Sequence, residues 1–194
     1  RRKQNHNLCL LQVMYLFQHL GIKGLSLPSK MQRGRMAEIS PADLTSIEKQ
    51  LGRTPRDVHA ISYRCPCGKP AVVSTLPRLA DGTPFPTFYY ATCPKLTAAL
   101  SRLESDGLME MMNQELAQDD ELALQYRKAH EAYLADRESV GKVSEIEEIS
   151  AGGMPDRVKC LHALAAHSLS VGPGVNPVGD QALVEIGTWW SSCE

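Results

Sequence analysis

Two cysteines separated by one proline constrain the fold of this chain more than any other local feature. The stretch Cys65-Pro66-Cys67-Gly68 has the proline and the glycine of a tight turn. Side chains alternate along an extended backbone, so the two thiols lie on the same side if the chain is extended there. Such a pair is difficult to explain as core filling, and its role depends on where the other cysteines lie.

A predicted β-hairpin returns a third cysteine towards this turn. Residues 71–79 are rich in β-branched side chains, residues 81–86 are dense in turn formers, and residues 87–93 are β-branched and aromatic. In an antiparallel hairpin, the residue numbers of each pair of facing residues add up to the same total. A turn centred near Asp81–Gly82 makes this total about 163. Cys93 is then opposite residue 70, a few residues from Cys67.

A predicted helix carries two further candidate ligands. It starts near Pro155 and runs to about residue 170, where Gly172-Pro173-Gly174 ends it. Residues seven apart share a helix face, so Cys160 and His167 point the same way, while His162 points elsewhere. Because seven residues span about 10 Å of helix, Cys160 and His167 are not expected to form a nucleophilic Cys–His pair.

Together these residues predict a metal site of the Cys₄ or Cys₃His type. Zinc, held tetrahedrally by thiolate and imidazole, is the predicted cofactor. An iron–sulfur cluster is the alternative, since it also takes four thiolates and often has a proline after a ligand cysteine. A third interpretation is that the thiols are reduced core residues. The predicted metal ligands are Cys65, Cys67, Cys93, Cys160 and His167.

The C-terminal Cys193 is expected to be an extra ligand or a free thiol. Chain ends are usually poorly ordered, so substitution of this residue is expected to have little effect.

A glycine-rich segment just before the same helix is a candidate anion site. Exposed N–H groups at a helix N-terminus and nearby basic side chains suit a phosphorylated ligand. The segment lacks the spacing of a P-loop, and a flexible loop before a well-capped helix is the alternative interpretation. The candidate residues are Gly152, Gly153, Asp156, Arg157 and Lys159.

The whole chain predicts an α+β fold, a mainly helical single domain of four to five helices with one small β-hairpin that carries the cysteine cluster. We expect this domain to span residues 36–194 and residues 1–35 to be an extension outside it.

The net charge of −1 argues against nucleic-acid binding. The lack of any run of about twenty apolar residues argues against a membrane span. We expect a cytoplasmic protein that binds a protein partner.

The longer motifs resemble a known family. C-P-C-G, D-G-T-P-F-P-T and G-G-M-P-D-R-V-K-C-L-H-A-L occur in the order found in the actinobacterial domain-of-unknown-function family 501, and the resemblance covers about residues 40–193. It implies an intracellular bacterial protein without an established activity, encoded near an exopolyphosphatase-type phosphatase. The resemblance places shared cysteines at Cys65, Cys67, Cys93 and Cys160. The sequence therefore supports two hypotheses for the function. The first is a metal-binding interaction or regulatory domain, and the alternative is an enzyme or regulator that acts on a phosphorylated ligand such as polyphosphate or a nucleotide.

Overall fold

The fold combines a small antiparallel sheet with a larger helical part. The computed structural model describes residues 39–193, all within one compact unit. The sheet has the strand order β1-β2-β3. Its strands are β1 (Val58–Arg64), β2 (Pro70–Thr75) and β3 (Tyr89–Ala91). The helices are α1 (Pro41–Leu51), α2 (Pro94–Ser105), α3 (Leu108–Gln118), α4 (Asp120–Val140), α5 (Leu161–Val171) and α6 (Pro177–Ile186), with short 3₁₀ helices at Ser144–Ile146 and Trp189–Ser192. The α+β prediction is confirmed, and the predicted extension 1–35 lies outside the described residues.

The predicted hairpin forms with the predicted register. Val72 pairs with Ala91 and Val73 pairs with Tyr90, so the residue numbers sum to 163. Strand β2 is central in the sheet, and all six of its residues are buried. This burial explains why its sequence is a nearly continuous run of apolar and small residues.

Strand β1 was not predicted from the sequence. It pairs with β2 on the other side from β3, and its register against β2 shifts at three points. It is an edge strand of mostly half-buried residues, so it lacks a regular alternation of apolar and polar positions. Its presence turns the predicted two-stranded hairpin into a three-stranded sheet.

Local capping signals fixed several helix ends as predicted. The Ser40 side chain accepts a hydrogen bond from the Asp43 N–H, and the Asp43 carboxylate accepts one from the Ser40 N–H. Gly52 ends α1 in the left-handed conformation. Helix α2 begins at Pro94. The Asp106–Gly107 break separates α2 from α3, and the described residues contain six α-helices rather than four or five.

The start of α5 differs from the prediction by six residues. The helix begins at Leu161, not near Pro155, and Cys160 is its N-cap. The preceding segment is held by tertiary contacts, because the Asn113 side chain accepts a hydrogen bond from the Val158 N–H (2.8 Å) and donates one to the Val158 carbonyl (2.9 Å). These bonds bind the backbone of Val158 to α3 and compete with helix formation.

The main core lies between the sheet and helices α2, α4, α5 and α6. Tyr126, Tyr133 and Leu164 are fully buried in it. Arg137 is also 1% exposed, and its guanidinium donates to the carbonyls of Ile146 and Ile149, so it holds the connection after α4 against the helix. Within residues 39–193, none of the helices combines the length and the apolar character needed to cross a bilayer.

Candidate metal centre

The Cys65–Gly68 stretch is the turn between β1 and β2. The Cys65 N–H donates to the Lys69 carbonyl (2.9 Å), and the Gly68 N–H donates to the Cys65 carbonyl (2.8 Å). Gly68 has a φ of +86°, which favours glycine at this position. The C-P-C-G motif therefore forms the tip of a hairpin that presents two cysteines, one buried and one exposed.

A cysteine from the end of the chain joins this pair. Cys193 directly follows the 3₁₀ helix Trp189–Ser192, which packs against α2. The Cys65 and Cys193 sulfur atoms are 3.9 Å apart, and the sulfur atoms of Cys65, Cys67 and Cys193 all lie within 4.8 Å of one another. Since a disulfide bond is about 2.05 Å long, the three cysteines are free thiols that share a single small volume.

Cys93 lies on the wall of the same site. A cavity of about 460 Å³ is lined by Cys65, Cys67, Cys93 and Cys193. Cys93 is 4% exposed, and as the N-cap of α2 it is held where β3 passes into that helix. The cavity therefore collects four cysteines from the hairpin tip, the start of α2 and the chain end.

Different surroundings shift the thiols' pKa values in opposite directions. Burial raises the pKa of Cys65 to about 12 and also raises the pKa of Cys193. For Cys67 a hydrogen bond from the Lys69 backbone N–H holds the pKa below its usual range. The exposed thiol at the tip is therefore the most readily ionised of these three. A backbone N–H that donates to a thiolate also stabilises that thiolate as a metal ligand.

The spacing of the sulfur atoms fits a single metal ion. Four sulfur atoms at about 2.3 Å from one zinc ion lie about 3.8 Å from one another in a regular tetrahedron. The 3.9 Å between Cys65 and Cys193 matches such an edge. In a four-iron cluster each thiolate binds a different iron, so the sulfur atoms are spread around the outside of the cluster. Three thiols within 4.8 Å of one another are close enough to bind one metal ion.

The structure brings together three of the five predicted metal ligands and separates the other two. Cys65, Cys67 and Cys93 line one cavity, as the hairpin register predicted. Cys160 lies in a different group, with Glu104 and His162, and lines a second cavity. His167 is fully buried and stacks on Tyr89 at a centroid distance of 5.6 Å. The fourth cysteine of the first cavity is Cys193, which the sequence suggested only as an extra ligand or a free thiol.

The glycine segment does not form the predicted helix N-terminus. Some of its N–H groups are used inside the loop: the Arg157 N–H donates to the Gly153 carbonyl (3.1 Å), and the Lys159 N–H donates to the Gly152 carbonyl (2.7 Å). A side chain at Gly153 would collide with the Arg157 carbonyl, so the loop closes tightly on itself. Asp156 is exposed, like Arg157 and Lys159. The five residues form a compact loop ahead of α5, and the three N–H groups of Arg157, Lys159 and Cys160 are not available to an anion.

Two features of the metal site were missed at the sequence level. The first is the position of Cys193, for which the only available signal was its residue type near the chain end. The second is a set of lysines around the cavity, Lys49, Lys69 and Lys95. They come from α1, the hairpin tip and α2, and no sequence spacing links them.

Comparison with known proteins gives a family but no characterised relative. No curated protein and no solved structure matches the chain. Residues 61–184 match the family described as "Protein of unknown function (DUF501)". The matched region includes Cys65, Cys67, Cys93 and Cys160 and ends before Cys193. Because the match covers more than half of the 194 residues, the chain belongs to the DUF501 family.

Proposed function

We propose that this protein is a zinc-stabilised binding or regulatory domain, with one zinc ion held by Cys65, Cys67, Cys93 and Cys193. The observation that carries the proposal is the group of three thiols within 4.8 Å of one another, with Cys93 on the wall of the same cavity. Four thiolates around one ion make a closed structural site with no open position for a substrate. The metal would therefore stabilise the fold rather than act in a reaction.

The charges around the cavity support a site with four thiolates. One zinc ion and four thiolates carry a formal charge of −2. Lys49, Lys69 and Lys95 line the cavity and would offset that charge.

The proposed ion would join parts of the chain that are distant in sequence. Cys65 and Cys193 are 128 residues apart, and Cys93 lies between them at the start of α2. A metal bridge across such a distance acts like a cross-link, since the unfolded chain does not contain the preformed site. The hairpin tip, α2 and the chain end would be stabilised together.

Metal analysis of matched cysteine variants tests the proposal. We expect the purified protein to contain one zinc per chain and to be colourless. Cys67→Ser and Cys193→Ser should lose the zinc, whereas Cys160→Ser, the control from the second cavity, should retain it. Loss of zinc only in Cys160→Ser would contradict this ligand set, and a brown protein containing iron would contradict zinc.

The phosphorylated-ligand alternative has no comparable support. The hydrogen bonds inside the Gly152–Cys160 loop occupy the N–H groups of Arg157, Lys159 and Cys160, and helix α5 begins only after the loop, at Leu161. A protein partner and a cytoplasmic location remain part of the proposed function, and a pull-down with the zinc-loaded protein would identify the partner.

A further inference from the structure

A second cavity, outside the proposed metal site, is lined by a cysteine and a histidine, and a glutamate of α2 contacts that histidine. Its volume is about 460 Å³, and its lining includes Cys160, His162, Lys159, Gly152, Thr87 and Tyr90. The Cys160 sulfur lies 3.9 Å from His162 Nδ1, which in turn lies 3.0 Å from Glu104 Oε1. The helix start at Leu161 creates this contact. Within a helix, residues 160 and 162 would point in different directions, but Cys160 is the extended N-cap residue.

The contacts of His162 favour a doubly protonated ring. Its Nε2 lies 3.1 Å from the Thr97 carbonyl, which can only accept, and 3.2 Å from the Ser101 hydroxyl, which can accept or donate. The carbonyl contact is a hydrogen bond only if Nε2 carries a proton. Its Nδ1 faces the Glu104 carboxylate, another acceptor, so Nδ1 carries a proton as well. With both nitrogens protonated the ring is a cation, and a metal ion could bind it only by displacing one of these protons. We therefore interpret the Glu104–Cys160–His162 group as an ion pair and not as a second metal site.

A cationic ring beside the sulfur stabilises a thiolate. Cys160 also sits at the N-cap of α5, where the helix dipole favours negative charge. Burial and the nearby Glu104 carboxylate oppose ionisation, but the hydrogen bond with His162 lowers the pKa of Cys160. The hydrogen bond with Cys160 raises the pKa of His162 to about 9. The geometry and the two shifts agree on a thiolate next to an imidazolium.

The charge balance of the cavity indicates what the thiolate would react with. The titratable groups that line it with Cys160 are Lys159 from the preceding loop, His162 from α5, and Tyr89 and Tyr90 from β3. Glu104 from α2 is not part of the lining, but it pairs with His162. Once the sulfur has formed a covalent bond, it no longer carries a negative charge. The formal charges of His162 (+1), Lys159 (+1) and Glu104 (−1) then sum to +1. An anionic group on the reacting molecule would balance this charge.

We propose that Cys160 is the nucleophile of a covalent site for small carbon electrophiles that carry an anionic group. The sulfur lone pair forms an S–C bond, and the bond from that carbon to its leaving group breaks, with the leaving group taking the electron pair. No proton has to move, because the thiolate is already ionised. His162 is a positioning residue that holds the thiolate, and Lys159 contacts the anionic group.

Alkylation of Cys160 at different pH values tests the thiolate. The protein as purified is treated with iodoacetamide, adducts at each cysteine are quantified by peptide mass spectrometry, and N-acetylcysteine is the internal standard. We expect the Cys160 rate to rise with a midpoint well below the ordinary cysteine value of about 8.5. His162→Gln should move the midpoint upward and slow the reaction at pH 6 about tenfold for each unit of pKa, whereas His59→Gln on β1 should not. An ordinary wild-type midpoint overturns the proposal, and this result does not depend on whether His162→Gln folds.

A pair of reagents of similar shape tests the anionic group. Iodoacetate carries a carboxylate and iodoacetamide is neutral, so their rate ratio at Cys160, relative to N-acetylcysteine, reports the local charge. We expect Lys159→Gln to lower this ratio roughly two- to fivefold, as expected for one charge in a solvent-exposed site. Equal ratios in wild type and Lys159→Gln would overturn the anionic substrate class. Both tests read Cys160 alone, so their outcome is separate from that of the zinc proposal.

Discussion

His167 shows how burial alone can decide the state of one residue. It is fully buried between Tyr89 and Tyr133, its Nδ1 accepts a hydrogen bond from the Asn176 side chain (3.2 Å), and within residues 39–193 its Nε2 has no hydrogen-bond partner. Burial lowers the pKa of His167 to about 4. The residue predicted as a metal ligand is therefore a neutral core histidine.

This burial predicts a loss of stability in mild acid. As the pH falls below about 6.5, the unfolded chain binds a proton at His167, and the folded protein does not do so until about pH 4. The free energy of unfolding should fall across that interval by roughly 3 kcal/mol from this residue. The measurement is urea unfolding from pH 7 to pH 4.

A matched variant separates this effect from the titration of carboxylates. His167→Gln has a similar volume and can still accept from Asn176, but it does not titrate. The difference between wild type and His167→Gln should therefore change with pH between 6.5 and 4. A constant difference would show that His167 is protonated in the folded state as readily as in the unfolded chain.

At the scale of elements, the packing of α5 on α6 depends on Gly179. A Cβ at this position would overlap the Leu164 carbonyl and the Ser168 hydroxyl of α5. The glycine therefore allows the two backbones to approach, and its own N–H donates to the Asn176 side chain (3.0 Å) at the start of α6. The sequence shows this residue only as an unfavourable glycine inside a helix.

Gly179→Ala should destabilise the protein although alanine favours helix. We expect the free energy of unfolding to fall by about 2–4 kcal/mol, because the two helices must separate to admit the methyl group. Val184→Ala, at a 76% exposed position of the same helix, should change it by less than about 0.5 kcal/mol. Denaturant unfolding of both variants checks this, and a Gly179→Ala protein as stable as wild type would contradict the close approach.

At the scale of the whole molecule, the proposed zinc ion ties the chain end to the sheet. Trp189 and Trp190 are the two tryptophans of the chain, and they begin the 3₁₀ helix against α2 that Cys193 follows. Trp189 is 8% exposed. Intrinsic tryptophan fluorescence therefore reports on the segment that the metal would hold.

Removal of the metal should release this segment before the rest of the fold unfolds. Treatment with a strong chelator is expected to shift tryptophan emission to longer wavelength and to lower the melting temperature, and added zinc should reverse both changes. Cys193→Ser should show the emission at longer wavelength even without chelator, whereas Cys160→Ser should respond to chelator like wild type. An emission spectrum that does not change on loss of zinc would contradict the bridge.

The sequence by itself determined the elements whose signals are local. Ser40, Pro41 and Gly52 defined α1 because caps act through neighbouring residues, and the turn formers near Asp81 set the hairpin register that brings Cys93 to the C-P-C-G turn. The tertiary structure decided the rest. Asn113 binds Val158 and α5 starts at Leu161, which places Cys160 beside His162 instead of among the other cysteines. Packing of the last 3₁₀ helix on α2 brings Cys193 to Cys65, a contact across 128 residues that no local pattern encodes, because the free energy that favours it comes from surfaces formed only when the chain has folded.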